Sequence, residues 1–156
     1  MNKAVVIVCV GMACCWNACS KKGRQQQDET VAFEARDFEG VIFAESVEFY
    51  EASEDVKRWT PTVNEARAAD GIARKCMMTR SPEIVEKIDK YRRQFVGLQV
   101  GGEKVVWVNY FIDETGSFDK WKKSIIRVKD GGSNFFELKV SLRSATCYDL
   151  YIHGEA

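Results

Sequence analysis

The sequence predicts an α+β fold, with one or two N-terminal helices packed on a four- to five-stranded antiparallel meander. Three observations carry that expectation. Residues 93–153 alternate extended, partly apolar stretches with polar breaks at 101–102, 113–117 and 130–133. Residues 62–95 hold helix start signals followed by apolar side chains at helical spacing. The chain has 156 residues, 46% of them hydrophobic, with two Pro, eleven Gly and no internal repeat, which fits about one folded domain.

The N-terminus reads as an address. Met1-Asn2-Lys3 gives a positive start, and residues 4–16 form an apolar run. Such a run is shorter than the ~20 residues needed to span a bilayer and matches the apolar region of a secretory signal. Ala18-Cys19-Ser20-Lys21-Lys22 follows. This end resembles a bacterial lipoprotein signal, which is cut before a Cys that then carries lipid. Ala18 fits that pattern, whereas Trp16 and Asn17 depart from it, leaving Cys15 and Cys14 as alternative acceptors to Cys19. The expected organisation is a signal peptide over 1–18, a flexible tether over 19–30 and one α+β domain over 31–156. Acyl chains contribute about 0.8 kcal/mol per buried CH₂, so more than one gives stable anchoring whichever Cys accepts them. The polar and charged composition of 20–30 suits a tether.

Charge narrows the function classes. The 23 basic and 23 acidic residues cancel, and removing 1–18 takes away only Lys3. No basic face or RNA-binding signature is present to draw nucleic acid.

The elements can be taken in chain order. Residues 31–38 are weakly patterned, and 41–50 alternate better, with Val47 and Phe49 on one side and Ser46, Glu48 and Tyr50 on the other. Thr62 and Glu65 have the spacing of a capping box, and Ala66, Ala69, Ala73 and Cys76 follow as a stripe of small side chains. Ser81-Pro82-Glu83 reads as a second helix start, with Ile84, Ile88, Tyr91 and Phe95 recurring at 4-3-4 spacing. That spacing predicts a helix over 82–95 running directly into the first meander strand. Residues 96–100 and 105–112 then form a hairpin about Gly101-Gly102, and the second arm is so apolar that both its faces are expected to be covered. Residues 124–128 suggest a further strand, ending in a hairpin turn at Asp130-Gly131-Gly132-Ser133. Residues 135–142 and 147–152 alternate as half-buried antiparallel strands.

Few residues invite chemistry. Asn109 interrupts an apolar run and must find hydrogen-bond partners, from a ligand or from the protein itself. With Trp107, Tyr110 and Trp121 it marks the candidate ligand-facing surface. Asp113, Glu114 and Asp119 lack the spacing of an EF-hand loop, so no metal site is expected. His153 is the only His, and strand rise would hold it about 20 Å from Cys147, too far for a direct dyad. No catalytic residues and no cofactor are expected. Of six Cys, only Cys76 and Cys147 lie beyond the signal region. Outside the cytoplasm they can pair, which would contribute about 3–4 kcal/mol in the chain-entropy model, or remain as small buried hydrophobes.

Several blocks resemble a group of small bacterial exported proteins: Arg58-Trp59-Thr60-Pro61-Thr62, Tyr91-Arg92-Arg93-Gln94-Phe95-Val96-Gly97, Trp107-Val108-Asn109-Tyr110-Phe111, Asp130-Gly131-Gly132 with Phe135-Phe136, and His153-Gly154-Glu155-Ala156. The resemblance implies no transferable activity. A helix followed by a meander is also similar to the cystatin arrangement, although Gln99-Val100-Gly101-Gly102 does not match the Gln-x-Val-x-Gly loop by which cystatins block proteases. The expected function is a non-enzymatic, lipid-anchored binding or structural module of the bacterial cell envelope, on its periplasmic or surface face. Its partners would be the membrane and another envelope protein. The alternative is a cystatin-like protease inhibitor.

Overall fold

A computed structural model describes residues 29–49 and 56–154. The signal peptide, Cys14, Cys15, Cys19 and most of the expected tether lie outside the described residues. The fold is α+β: one main helix packs on a seven-stranded, mostly antiparallel mixed sheet. The strands are β1 (Thr30–Glu34), β2 (Glu39–Phe43), β3 (Lys57–Trp59), β4 (Arg92–Val100), β5 (Glu103–Phe111), β6 (Phe135–Ser141) and β7 (Thr146–Ile152). The helix α1 (Val63–Arg80) follows the third strand, so it is not N-terminal. The order across the sheet is β1-β2-β4-β5-β6-β7, with β3 also paired to β4. The expected meander is present as β4 to β7. The early strands extend it beyond the four or five expected, and the β2–β4 pair is parallel.

β4 shares one edge between two partners. Residues 40–43 pair with its first half and Lys57–Trp59 with its second. Gly97 permits this, because a Cβ there would lie 2.2 Å from the Trp59 carbonyl oxygen. Arg58 fixes the neighbouring loop, donating to the carbonyls of Gly97 (3.0 Å), Val47 (2.8 Å) and Ala44 (3.2 Å).

α1 starts where its capping box predicts. Glu65 N–H donates to Thr62 Oγ1 at 3.2 Å and Thr62 N–H to Glu65 Oε2 at 2.9 Å. Ala66, Ala69, Ala73 and Met77 are buried against Ile42, Phe95, Val106, Val108, Phe136 and Leu138. The small side chains bring the helix close to the sheet. On the other face Val41, Phe43, Val96, Leu98, Val105, Trp107 and Phe111 form a second core. Its cover is irregular chain, with Phe49 from the segment after β2 and Phe118, Trp121, Ile125 and Ile126 from the segment after β5. Both faces of β5 are thus covered, as its unbroken apolar run requires.

The helix expected over 82–95 is replaced by three elements. One helical turn (Pro82–Val85) and a 3₁₀ turn (Ile88–Lys90) lead into β4 at Arg92. Ile84, Ile88, Tyr91 and Phe95 are all buried in the helix-side core, so their spacing marked burial rather than helicity. Long-range bonds decide the geometry. Arg93 donates to the carbonyls of Ile88 (3.0 Å) and Tyr91, which ties the 3₁₀ turn to the strand. Lys87 Nζ reaches Ser133 Oγ at 3.0 Å, and the Tyr91 hydroxyl donates to the Ser133 carbonyl. Burial, and then nearby Glu83, push the Tyr91 phenol up to about 12.

Beneath α1 lies a buried polar cluster. Arg93 Nε and the Tyr110 hydroxyl donate to Asp70 Oδ1 at 2.8 and 2.9 Å, and Arg74 Nε donates to Oδ2 at 2.8 Å. The Arg93 guanidinium lies 4.0 Å from the centre of the Phe38 ring. Burial and Asp70 hold the Tyr110 phenol well above its ordinary value. Burial alone would lower Arg74, but Asp70 and Asp37 outweigh it and raise it.

Candidate functional site

Residues 112–131 cross the non-helix face of the sheet without forming a strand. The strand expected over 124–128 is therefore absent, and an amide clamp explains why. Gln94 on β4 and Asn109 on β5 are cross-strand partners with buried side chains on that face. Gln94 Nε2 donates to the carbonyls of Trp121 (2.7 Å) and Ser124 (2.8 Å), and Ile126 N–H donates to Gln94 Oε1 (2.8 Å). Asn109 Nδ2 donates to the Ile126 carbonyl (2.9 Å) and to Gln94 Oε1 (3.1 Å). Four backbone groups of the crossing are thus satisfied by two side chains instead of a strand ladder. Asp113 holds the earlier turn, accepting from the amides of Ser117 (2.9 Å) and Phe118 (3.3 Å) and pairing with Arg92 at 3.0 Å.

The four residues read as ligand-facing are all buried. Trp107 and Asn109 lie beneath the crossing, and Trp121 belongs to it and packs inward from it. Trp107 packs edge-on to Phe49 at 4.9 Å and Trp121 edge-on to Phe111 at 5.8 Å. Tyr110 is on the opposite face, stacked on Phe136 at 4.4 Å and bonded to Asp70. They do not converge, since adjacent residues of a strand point to opposite faces. Asn109 is occupied by the protein's own carbonyls. Sequence reasoning missed its partner Gln94, whose signal is a polar residue facing Asn109 in the first hairpin's register.

What the crossing leaves at the surface is a cleft of about 440 Å³ lined by Arg127, Val128, Lys129, Glu137, Tyr151 and His153. Glu137 and Tyr151 are cross-strand partners, beside a register shift in β6–β7. Tyr151 is 54% exposed, and its ring meets that of His153 edge-on at 4.9 Å. His153 Nδ1 is buried without a hydrogen-bond partner. The 130–133 turn follows Lys129 in the chain. It is not the expected hairpin turn, because no strand precedes it. Instead the amides of Gly131 and Gly132 hold the Gly154 carbonyl at 2.9 and 3.0 Å. A second cleft, about 360 Å³, is lined in part by Glu39, Asp89 and Arg92. The charges of Asp89, Glu39 and Arg92 are taken up by the protein itself, as Arg74 pairs with Asp89 and Arg92 and Lys122 pair with Glu39.

A disulfide joins Cys76 on α1 to Cys147 on β7, with Cα atoms 6.3 Å apart. No protein-family model, curated protein or solved structure matches the chain.

Asn109→Ala tests the clamp. It removes the donor to the Ile126 carbonyl and is expected to cost about 1–3 kcal/mol in urea unfolding. Limited proteolysis should show new cuts within 112–131. An equal loss of stability without those cuts would mean that Asn109 serves the sheet and not the crossing.

Proposed function

We propose that the chain is a lipid-anchored, extracytoplasmic binding or structural module of the bacterial cell envelope, related to the exported proteins whose sequence blocks it resembles. The observation that carries the location is the Cys76–Cys147 disulfide, since such bonds persist in oxidising compartments and are rare in the cytosol. The apolar run and Cys19 at the N-terminus agree with it. The non-enzymatic reading is supported by the buried ionisable groups, because Asp70, Arg93, Arg74 and Tyr110 bond to one another beneath the helix and away from the surface clefts. Binding then falls to the surface, and the cleft beside β7 combines unlike polar groups with an exposed aromatic ring.

Cys19→Ala is expected to move the protein from the membrane to the soluble fraction. Retention in the membrane would shift the lipid to Cys15 or Cys14. Retention after all three are replaced would end the anchored reading.

The second reading is an inhibitor of the cystatin type. It draws on the order α1 then β4 to β7, and on Val100, 40% exposed beside the Gly101-Gly102 turn. Inhibition of papain-like cysteine proteases by the purified chain, abolished in Val100→Asp, would favour it over the first.

A further inference from the structure

We propose that β1 is a pairing edge for a second copy of this chain, so that two molecules join edge to edge into one continuous sheet. The proposal rests on the anchored reading for the concentration it needs. The strand order ends at β1 and β7, and among the described residues neither has a second strand partner. β7 is guarded against pairing. The β6–β7 register shifts between Glu137 and Lys139, Asp149 has a φ of 50°, and Asp149 pairs with Lys139 at 2.9 Å. β1 has none of these devices. Its register with β2 is unbroken, its one charge is Glu34 at the end, and Val31 is 44% exposed.

The hydrogen bonds of β1 fix how a copy sits on it. Ala44 N–H donates to the Glu29 carbonyl and Ala35 N–H to the Phe38 carbonyl, both at 2.9 Å, and both pairs continue the β1–β2 register. Antiparallel strands bond at every second residue, so Val31 and Phe33 bond inward to β2. Thr30, Ala32 and Glu34 therefore turn their N–H and C=O groups outward. One register uses all three. With Ala32 opposite Ala32 of the second copy, Thr30 lies opposite Glu34 on both sides of a twofold axis. A shift by two residues leaves an outward residue of each strand unpaired. The same register sets Val31 against Phe33 of the second copy on the helix side, where Phe33 packs against Phe38 at 5.9 Å and Phe95 at 5.7 Å. Such non-hydrogen-bonded positions bring side chains closest, so each exposed Val31 covers a Phe33. The two Glu34 carboxylates face Thr30 and not each other. Arg67 Nη2 donates to the Glu34 carbonyl at 3.0 Å, and that oxygen keeps a second lone pair for Thr30.

A strand of five residues buries less than the roughly 1,600 Å² of a standard interface, so the pair is weak in free solution. Anchoring offsets this. Residues 20–29 reach at most about 33–36 Å, and the starts of the two paired β1 strands lie about 14 Å apart. Both lipids can thus enter one bilayer, where confinement raises the effective concentration.

Oxidative cross-linking of the full chain with copper phenanthroline in intact cells tests this, with the unsubstituted chain as background. Ala32→Cys is expected to give disulfide-linked homodimer about tenfold or more above Tyr151→Cys, a control on the guarded edge. Cα atoms paired as Ala32 would be lie about 5.5 Å apart, within disulfide reach. Adding Thr30→Pro should return the yield to the control level, because the ring replaces an outward N–H and blocks approach while the bonds to β2 remain. Unchanged thermal unfolding will show that the double variant folds, and the comparison of Ala32→Cys with Tyr151→Cys decides by itself if it does not. No homodimer from Ala32→Cys, equal yield from Tyr151→Cys, cross-linking to a different protein instead, or a yield unaltered by Thr30→Pro in a folded chain would overturn the self-pairing edge. Membrane fractionation of Cys19→Ala reports on the anchor alone, so the edge can fail while the anchored-module reading stands.

Discussion

Arg93→Met is expected to lower folding stability by about 3–5 kcal/mol, read as a lower urea midpoint at unchanged slope. The Arg93 side chain is 0% exposed and satisfies three acceptors, Asp70 and the carbonyls of Ile88 and Tyr91. Met fills much of the same space but donates nothing. Asp70 would then stay buried with Arg74 and Tyr110 as partners, and two backbone carbonyls would lose their donor. Breaking one side of a buried pair costs more than replacing the whole pair, because the remaining charge has lost part of its compensation. Adding Asp70→Leu and Tyr110→Phe to Arg93→Met should therefore restore most of the loss. A loss under about 1 kcal/mol in the single variant would show that Asp70 recovers a donor from water or a neighbour, and that the cluster is not closed.

That cluster was only half legible in the sequence. Asp70 lies four residues after Ala66 and three before Ala73, inside the apolar stripe of α1, and a charge at such a position calls for a buried partner. Its partners Arg93 and Tyr110 come from β4 and β5, where local spacing carries no information about a helix packed above them. The stripe over 84–95 failed for a related reason. A buried segment places apolar groups at many spacings, and long-range bonds from Arg93, Lys87 and Tyr91 decided between helix and strand. The caps and hairpins were legible because their causes are local. Thr62 and Glu65 set the helix start within four residues, and Gly101 and Gly102, both with positive φ, set the first turn. The crossing at 124–128 reads as a strand because Ile126 and Val128 alternate, while the groups that bind its backbone, Gln94 and Asn109, lie on the two preceding strands. Asn109 stands out as a misfit in an apolar run, whereas its partners do not. The cleft beside β7 exists only because that crossing never joins the sheet, so no sequence pattern could have announced it.

Replacing both Cys76 and Cys147 by Ser, or reducing the bond, is expected to cost about 4 kcal/mol and to lower the melting temperature by roughly 10–20 °C. The cross-linked residues are 71 apart in sequence, and loops of that length restrict the unfolded chain strongly. The native contacts around the bond change little by comparison. α1 stays docked through Ala66, Ala69, Ala73 and Met77, and Arg80 still reaches the Cys147 carbonyl at 3.4 Å. An effect that acts on the unfolded state leaves a signature, because the uncrosslinked chain exposes more surface when it unfolds. The urea slope should rise as the midpoint falls. The competing account is local. Among the described residues β7 is an edge strand paired only with β6, and the bond could serve merely to pin that strand under the helix. In that case hydrogen exchange would speed up in β7 alone and global stability would hold. A fall in the midpoint with a steeper slope selects the first account. Unchanged global unfolding with fast exchange confined to Thr146–Ile152 selects the second, and would also place the Tyr151 wall of the cleft under the control of the disulfide.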